Sequence, residues 1–180
     1  MNMLEPIKDR AIIEEIKDYL FQSNKRNYLL FVMGINLPLK SYLILRLKFS
    51  HLINEDGSIK NFLKIEGKTC YVNESIKVAI KDYIKNRIFE LEDYLFQSKK
   101  TKCPINRSHL YKILNDAATS CGVTMRIGNE TLRKTFGYHF YMDTRNLNKL
   151  KEMFDANSSH QLFAYLGIND VCENYNDFCI

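Results

Sequence analysis

Glu130 and Arg133 stand three residues apart near the start of a segment with helical spacing, so a carboxylate and a guanidinium share one face and can meet. A glutamate in the first helical turn is also favoured by the helix macrodipole, which accounts for it without any chemistry. Lys64 and Lys68 flank a Glu66-Gly67 turn, Lys40 follows Pro38-Leu39, and Lys134 adjoins Arg133. In a chain with 26 basic residues each of these lysines, taken alone, is an ordinary solvated charge. Tyr165 sits between Phe163 and Leu166, where a half-buried helix tyrosine is the plain reading. His160 brings an imidazole to the same stretch, while His51 and His139 read as structural. The five cysteines (Cys70, Cys103, Cys121, Cys172, Cys179) form no CxxC pair and have no metal-ligand spacing. Odd in number and with no signal peptide ahead of them, they read as reduced thiols of a cytoplasmic protein. Neither a metal nor another cofactor is expected.

The elements that must position these groups follow from periodicity. Ile12, Ile13, Ile16, Tyr19 and Leu20 predict a helix over about residues 8–22. A more apolar helix runs from Lys25 to Asn36 and stops before Pro38. A third covers Lys40 to Leu47. The period then changes: 49–54, 58–65 and 68–72 are short segments separated by turn residues, which predict a small three-stranded antiparallel sheet. Helical spacing returns at Ile76 to Ile84 and at Leu110 to Cys121, with Gly122 at a helix end. Further helices are predicted over Asn129 to Met142, Leu147 to Phe154 and Ser159 to Leu166, and the tail from Asn169 has mixed polarity compatible with one more. The expected class is α+β, mainly helical. The chain has 180 residues, 46% of them hydrophobic, which fits one ordinary core and one domain over 1–180. Its apolar runs, such as 28–33, are too short to span a bilayer. A net charge of +5 and a pI near 8.9 fit a nucleic-acid partner without demanding one.

Three stretches in order carry a resemblance. The run from Arg26 to Lys40 (RNYLLFVMGINLPLK) is similar to a box written RNxxLFxLGINTGLR. The run from Leu132 to Tyr141 (LRKTFGYHFY) is similar to HxLRKTFGYHxY, and Met153 to Ile168 to LLGHSSxxxTxxYIGI. These are boxes of the tyrosine recombinases, the phage-integrase family, and their order and spacing match over residues 10–168.

The resemblance implies a catalytic domain in which a tyrosine hydroxyl attacks a DNA phosphodiester and forms a 3′-phosphotyrosyl link without a metal. Two arginines hold the phosphate oxygens by paired, charge-assisted hydrogen bonds. A lysine of the β-hairpin protonates the leaving oxygen, and histidines handle the tyrosine proton and orient the phosphate. Carried onto this chain, Tyr165 matches the nucleophile and Arg133 the second arginine. Lys64 and Lys68 both remain candidates for the hairpin lysine. Lys40 replaces the first arginine and loses its fork. Glu130 replaces the histidine of the second box, Ala156 that of the third, and His160 is the nearby imidazole. Lys40, Lys64, Lys68, Arg133 and Lys134 are the expected DNA-binding set, on double-stranded DNA.

Only about 10 residues precede the first predicted helix, so the N-terminal core-binding domain of full-length relatives is expected to be absent. The function implied is a DNA-binding integrase-family protein of a mobile element, with strand exchange impaired or lost. An active recombinase, a non-catalytic regulator on the same scaffold, and a modulator of a full-length integrase are the alternatives. The C-terminal segment, which packs onto a neighbouring protomer in relatives, leaves a homo-oligomer or a hetero-assembly with a full-length recombinase open.

Overall fold

The computed structural model describes residues 4–98 and 100–168. The expected tail helix, the assembly contact through the C-terminal segment, Cys172 and Cys179 lie outside the described residues. Eight α-helices and two strands follow in order among those described.

Helix α1 (Arg10–Ser23) begins where the Asp9 side chain accepts from the Ala11 amide, and it buries Ile13, Ile16 and Leu20. It ends at Asn24, whose side chain caps the next helix by accepting from the amides of Arg26 and Asn27. That helix, α2 (Lys25–Asn36), is buried from Leu29 through Gly34 and forms the centre of the main core. Pro38 lies beyond its end, and α3 (Ser41–Leu45) follows, shorter than expected.

The expected first strand is not a strand. Residues Phe49–His51 form a 3-10 turn, in which the His51 ring nitrogen Nδ1 accepts from the Lys48 amide at 3.0 Å. The amides of Leu52 and Ile53 both return to the Phe49 carbonyl, and those of Phe49 and Ser50 go to Asp93 and Leu91, so this segment has few donors left for a ladder. The sheet therefore has two antiparallel strands, β1 (Phe62–Ile65) and β2 (Lys68–Tyr71), with Lys64 opposite Thr69 and Ile65 opposite Lys68. The turn between them places Glu66 and Gly67 at positive φ. An isolated bridge between Ile53 and Ile59 is what remains of the expected first strand.

Helices α4 (Glu74–Ile84) and α5 (Arg107–Ser120) are capped by Asn73 and Asn106, and Gly122 follows the second at φ +68°. Helix α6 (Asn129–Thr144) contributes Leu132 to the main core. Phe136 and Phe140 on the same helix pack against a second, smaller cluster. That cluster is built by α7 (Leu147–Phe154) and α8 (Ser159–Leu166), with Leu150, Phe154, Leu162, Phe163 and Leu166 buried. Its caps, Asn146 and Ser158, each accept from an amide three residues on.

The chain before α1 straps α6 from outside. The Ile7 amide donates to Thr135 Oγ1 at 2.9 Å, and the Ile7 carbonyl lies 2.9 Å from His139 Nε2. Lys8 reaches the Gly167 carbonyl at the end of α8. No helix among the described residues is long and apolar enough to cross a membrane.

Gly137 marks the closest approach of α6 to the second cluster. A Cβ there would lie 2.6 Å from Leu166 Cδ2 and 2.7 Å from Phe154 Cζ. Gly137→Ala should lower stability by about 1–3 kcal/mol, the range for overpacking a filled site, as read from urea unfolding. An unchanged midpoint would show that α8 shifts freely against α6.

Candidate active site

Helix α6 begins at Gly128 and carries Glu130, Arg133 and Lys134 in its first two turns. Arg133 is 8% exposed, its Nε–H donates to the Pro38 carbonyl at 2.8 Å, and its guanidinium carbon lies 4.4 Å from the Phe154 ring centroid. The segment after α2, the second turn of α6 and the end of α7 thus meet on one cation.

Tyr165 comes from α8 and is half-buried. Its hydroxyl donates to Glu130 Oε2 at 2.9 Å. Phe154 meets the ring edge-on at 6.3 Å, and Lys134 Nζ stands 4.5 Å from the ring centroid. Burial raises the hydroxyl pKa well above its ordinary value of 10.0, the Glu130 charge raises it further, and so does the hydrogen bond to that carboxylate. Arg133 opposes the shift without cancelling it. The phenol is held protonated, with its proton pointing at an acceptor.

The expected pairing of Glu130 with Arg133 does not form. Tyr165, brought in by α8, takes one carboxylate oxygen, and Arg107 of α5 lies 3.9 Å from the other. Helical spacing makes the pair reachable, but a hydroxyl and a more exposed guanidinium are the partners Glu130 has.

Of the two hairpin lysines, the structure brings Lys68 to the cleft and leaves Lys64 exposed on β1. Lys68 Nζ is 2.5 Å from Asp155 Oδ2. Asp155 ends α7 in the left-handed conformation, φ 54° and ψ 40°. Its carboxyl is held below the usual range first by the hydrogen bond from Lys68, then by the charges of Lys68, Arg133 and Lys40. Lys68 thus pairs with a carboxylate, within electrostatic range of Arg133 and Lys40, which residue-by-residue reading of the boxes passed over. The signal was present: the third box writes LLGHSS where this chain has Met153-Phe154-Asp155-Ala156-Asn157-Ser158, so an acid stands at the glycine.

Lys134 departs from the expectation of an exposed DNA contact. It is 4% exposed, and its ammonium donates to the Leu4 carbonyl at 2.7 Å. Burial lowers its pKa, with the charges of Glu130 and Glu5 acting the other way. The strap before α1 claims it. Lys40 is exposed at the start of α3, and His160 is exposed on α8, where the Tyr165 hydroxyl turns to Glu130 instead. Ala156 supplies no polar group beside Asp155. Among the described residues no set of His, Cys, Asp and Glu could hold a metal ion.

This architecture is that of the tyrosine-recombinase catalytic domain. It is similar to the XerA recombinase, at a TM-score of 0.74 and 15% identity, covering 94% of this chain and 62% of that one. It is similar too to the XerH site-specific recombinase bound to its difH substrate in a pre-cleavage complex, at a TM-score of 0.67 and 19% identity, covering 91% and 50%. The chain thus spans between half and two thirds of the length of these structures. The chain belongs to the phage integrase family, whose pattern matches residues 44–170. It is 38% identical over 171 residues to the probable integrase/recombinase YoeC of Bacillus subtilis (strain 168), covering 94% of this chain and 93% of that protein.

Because the folded-state pKa of Tyr165 is raised, the neutral phenol contributes stability that is complete below the unfolded value, about pH 10, and is lost as pH rises above it. Tyr165→Phe should flatten that alkaline loss. Glu130→Gln should let the hydroxyl ionise at lower pH than in the parent, read as phenolate absorbance against the matching Tyr165→Phe background. An identical titration in both proteins would mean that the hydrogen bond to Glu130 does not form in solution.

Proposed function

We propose that this chain binds double-stranded DNA through the cleft between the β-hairpin and α6, acts in DNA recombination, and cleaves poorly or not at all. The observation that carries this reading is that two groups of the site are already engaged by carboxylates of the chain itself: Lys68 pairs with Asp155, and the Tyr165 hydroxyl donates to Glu130.

The chemistry makes the consequence concrete. Attack by the Tyr165 oxygen on phosphorus forms a phosphotyrosyl ester and breaks the bond to the 5′-oxygen, which must leave with a proton. The attacking oxygen must lose its own proton, yet Tyr165 is held protonated. A phosphate replaces water poorly beside two carboxylates: like charges about 4 Å apart repel by roughly 4 kcal/mol at an effective dielectric of 20, before screening. If Lys68 is the hairpin lysine that protonates the leaving oxygen, its ion pair with Asp155 must first break. Lys40 offers a point charge in place of a fork.

A second reading draws on the same 2.9 Å contact. Glu130 is placed as a base for the Tyr165 proton. In that reading the chain is an active recombinase, and Tyr165 becomes linked to the 3′-phosphate of a nicked duplex.

DNA affinity, followed by fluorescence anisotropy, should fall steeply with salt, with a non-specific Kd of roughly 10⁻⁴–10⁻⁶ M at physiological ionic strength. Lys40→Ala, an exposed change, should weaken binding evenly across sequences and reduce the salt slope by about 1. On a nicked duplex the parent should leave no adduct. Absence of binding at low salt would overturn the DNA reading, and a Tyr165-dependent adduct would establish the second reading in its place.

A further inference from the structure

The second concentration of positive charge in this molecule lies away from Tyr165. A cavity of about 790 Å³ opens at the N-terminal end of α2 and the C-terminal end of α4. Lys25, Arg26, Lys85, Arg87 and Lys102 line it, against the single carboxylate of Asp82. Those five cations and one acid account for four of the chain's five net positive charges. Among the described residues no carboxylate forms an ion pair with any of the five. Solvated surface lysines need no partner, but the two arginines are not of that kind.

Arg87 stacks its guanidinium over Tyr83 and Phe49, at 4.9 and 5.8 Å from the ring centroids. Its Nε is buried and has no hydrogen-bond partner. A buried guanidinium N–H without an acceptor is costly and uncommon, and it leaves this cation short of partners within the chain. Arg26 lies close enough for Arg87 to lower its pKa along with burial, so two like charges are held together at a site that desolvates them. Arg26 commits one nitrogen to the Gln97 carbonyl and others to Asn27, which fixes its plane. One guanidinium fixed by hydrogen bonds and one stacked on aromatic rings, lining the same cavity, suit a phosphate better than a single carboxylate.

Position separates this cavity from the cleft described above. Helix α2 has 12 residues, about 18 Å at 1.5 Å per residue. The cavity is at its first turn, and Pro38, which receives Arg133, lies just past its last. A phosphate held at one end is not the phosphate held at the other. The volume falls within roughly 300–1,000 Å³, the range of small-molecule sites.

We propose that this cavity is a second anion site, which binds a ligand carrying adjacent phosphate groups, with Arg26 and Arg87 as the paired forks and Lys25, Lys85 and Lys102 as the surrounding charge. The ligand is either a free polyphosphate, including a nucleotide, or the backbone of a nucleic-acid strand. The chemistry is the same in both.

The test is calorimetric titration of the full chain with inorganic tripolyphosphate at low ionic strength. Saturable binding is expected, weakened by about tenfold or more in Lys25→Glu/Lys85→Glu and unchanged in Lys40→Ala/Lys68→Ala, which strips cations from the cleft. A glutamate at the first position of α2 is favoured by the helix dipole, so Lys25→Glu preserves the fold. Should the double variant unfold, Asp82→Asn keeps the proposal testable, because removing the one acid must tighten binding. Competition then names the source. Displacement by ATP alone identifies a nucleotide, displacement by a single-stranded oligonucleotide a nucleic-acid backbone. No saturable binding, binding equal in parent and cavity variants, or binding lost with Lys40 and Lys68 would each overturn the proposal. The last result would leave DNA binding at the cleft untouched.

Discussion

The hydrogen bond from Arg133 to the Pro38 carbonyl holds the site together. It joins positions 95 apart in the chain and closes the segment after α2 against the second turn of α6. A guanidinium that is only 8% exposed must satisfy its donors, and removing that acceptor would leave a buried charge short of partners. The Phe154 ring beneath the same group ties α7 to it, and α7 leads directly into the turn that presents Asp155. Tyr165 then arrives on α8 with its ring edge on Phe154. One cation therefore fixes where the tyrosine, the hairpin's partner carboxylate and Glu130 can be.

Charge decides what such a site can do. Its cations would serve a phosphate well, since charge-assisted bonds to Arg and Lys are the strong ones. The same cations stabilise Asp155 as a carboxylate, and Glu130 accepts the proton-bearing end of Tyr165. An internal anion competes with an external one for the same favourable potential. Because Asp155 is largely exposed and Lys68 flexible, this competition is screened and can be displaced by a polyanion. Glu130 is less exposed and is the harder of the two to displace. The two carboxylates touch different groups: Asp155 pairs with Lys68, and Glu130 accepts from the Tyr165 hydroxyl.

Much of this was legible in the residues. The spans of α7 and α8 could be read from local spacing, and the caps Asn146, Ser158 and Gly167 that bound them are local too. The position of Arg133 on α6 was legible from its box, and its burial was not, since the Pro38 carbonyl lies far away in the chain. Lys134 looked like a surface charge because nothing in α6 reveals that residues 4–8 strap over it. The expected first strand failed because β-prone Phe49 and Leu52 sit in a turn that His51 closes with its own ring, an arrangement that β propensity does not register. That Lys68 and not Lys64 pairs with Asp155 could not be read locally, because Asp155 belongs to a different box 87 residues away.

The central claim is that the cleft is an anion site partly filled by the chain's own carboxylates. It is tested most directly by neutralising both without changing their shape. DNA affinity at neutral pH should be compared between the parent, Glu130→Gln/Asp155→Asn, and a remote control, Glu14→Gln, which removes one charge from the exposed pair on α1. The account predicts that the double change tightens binding by well over the control, by about tenfold or more, and that the gain shrinks as salt rises. A double variant that binds no more tightly than Glu14→Gln would show that neither carboxylate faces the DNA phosphate, and would contradict the account.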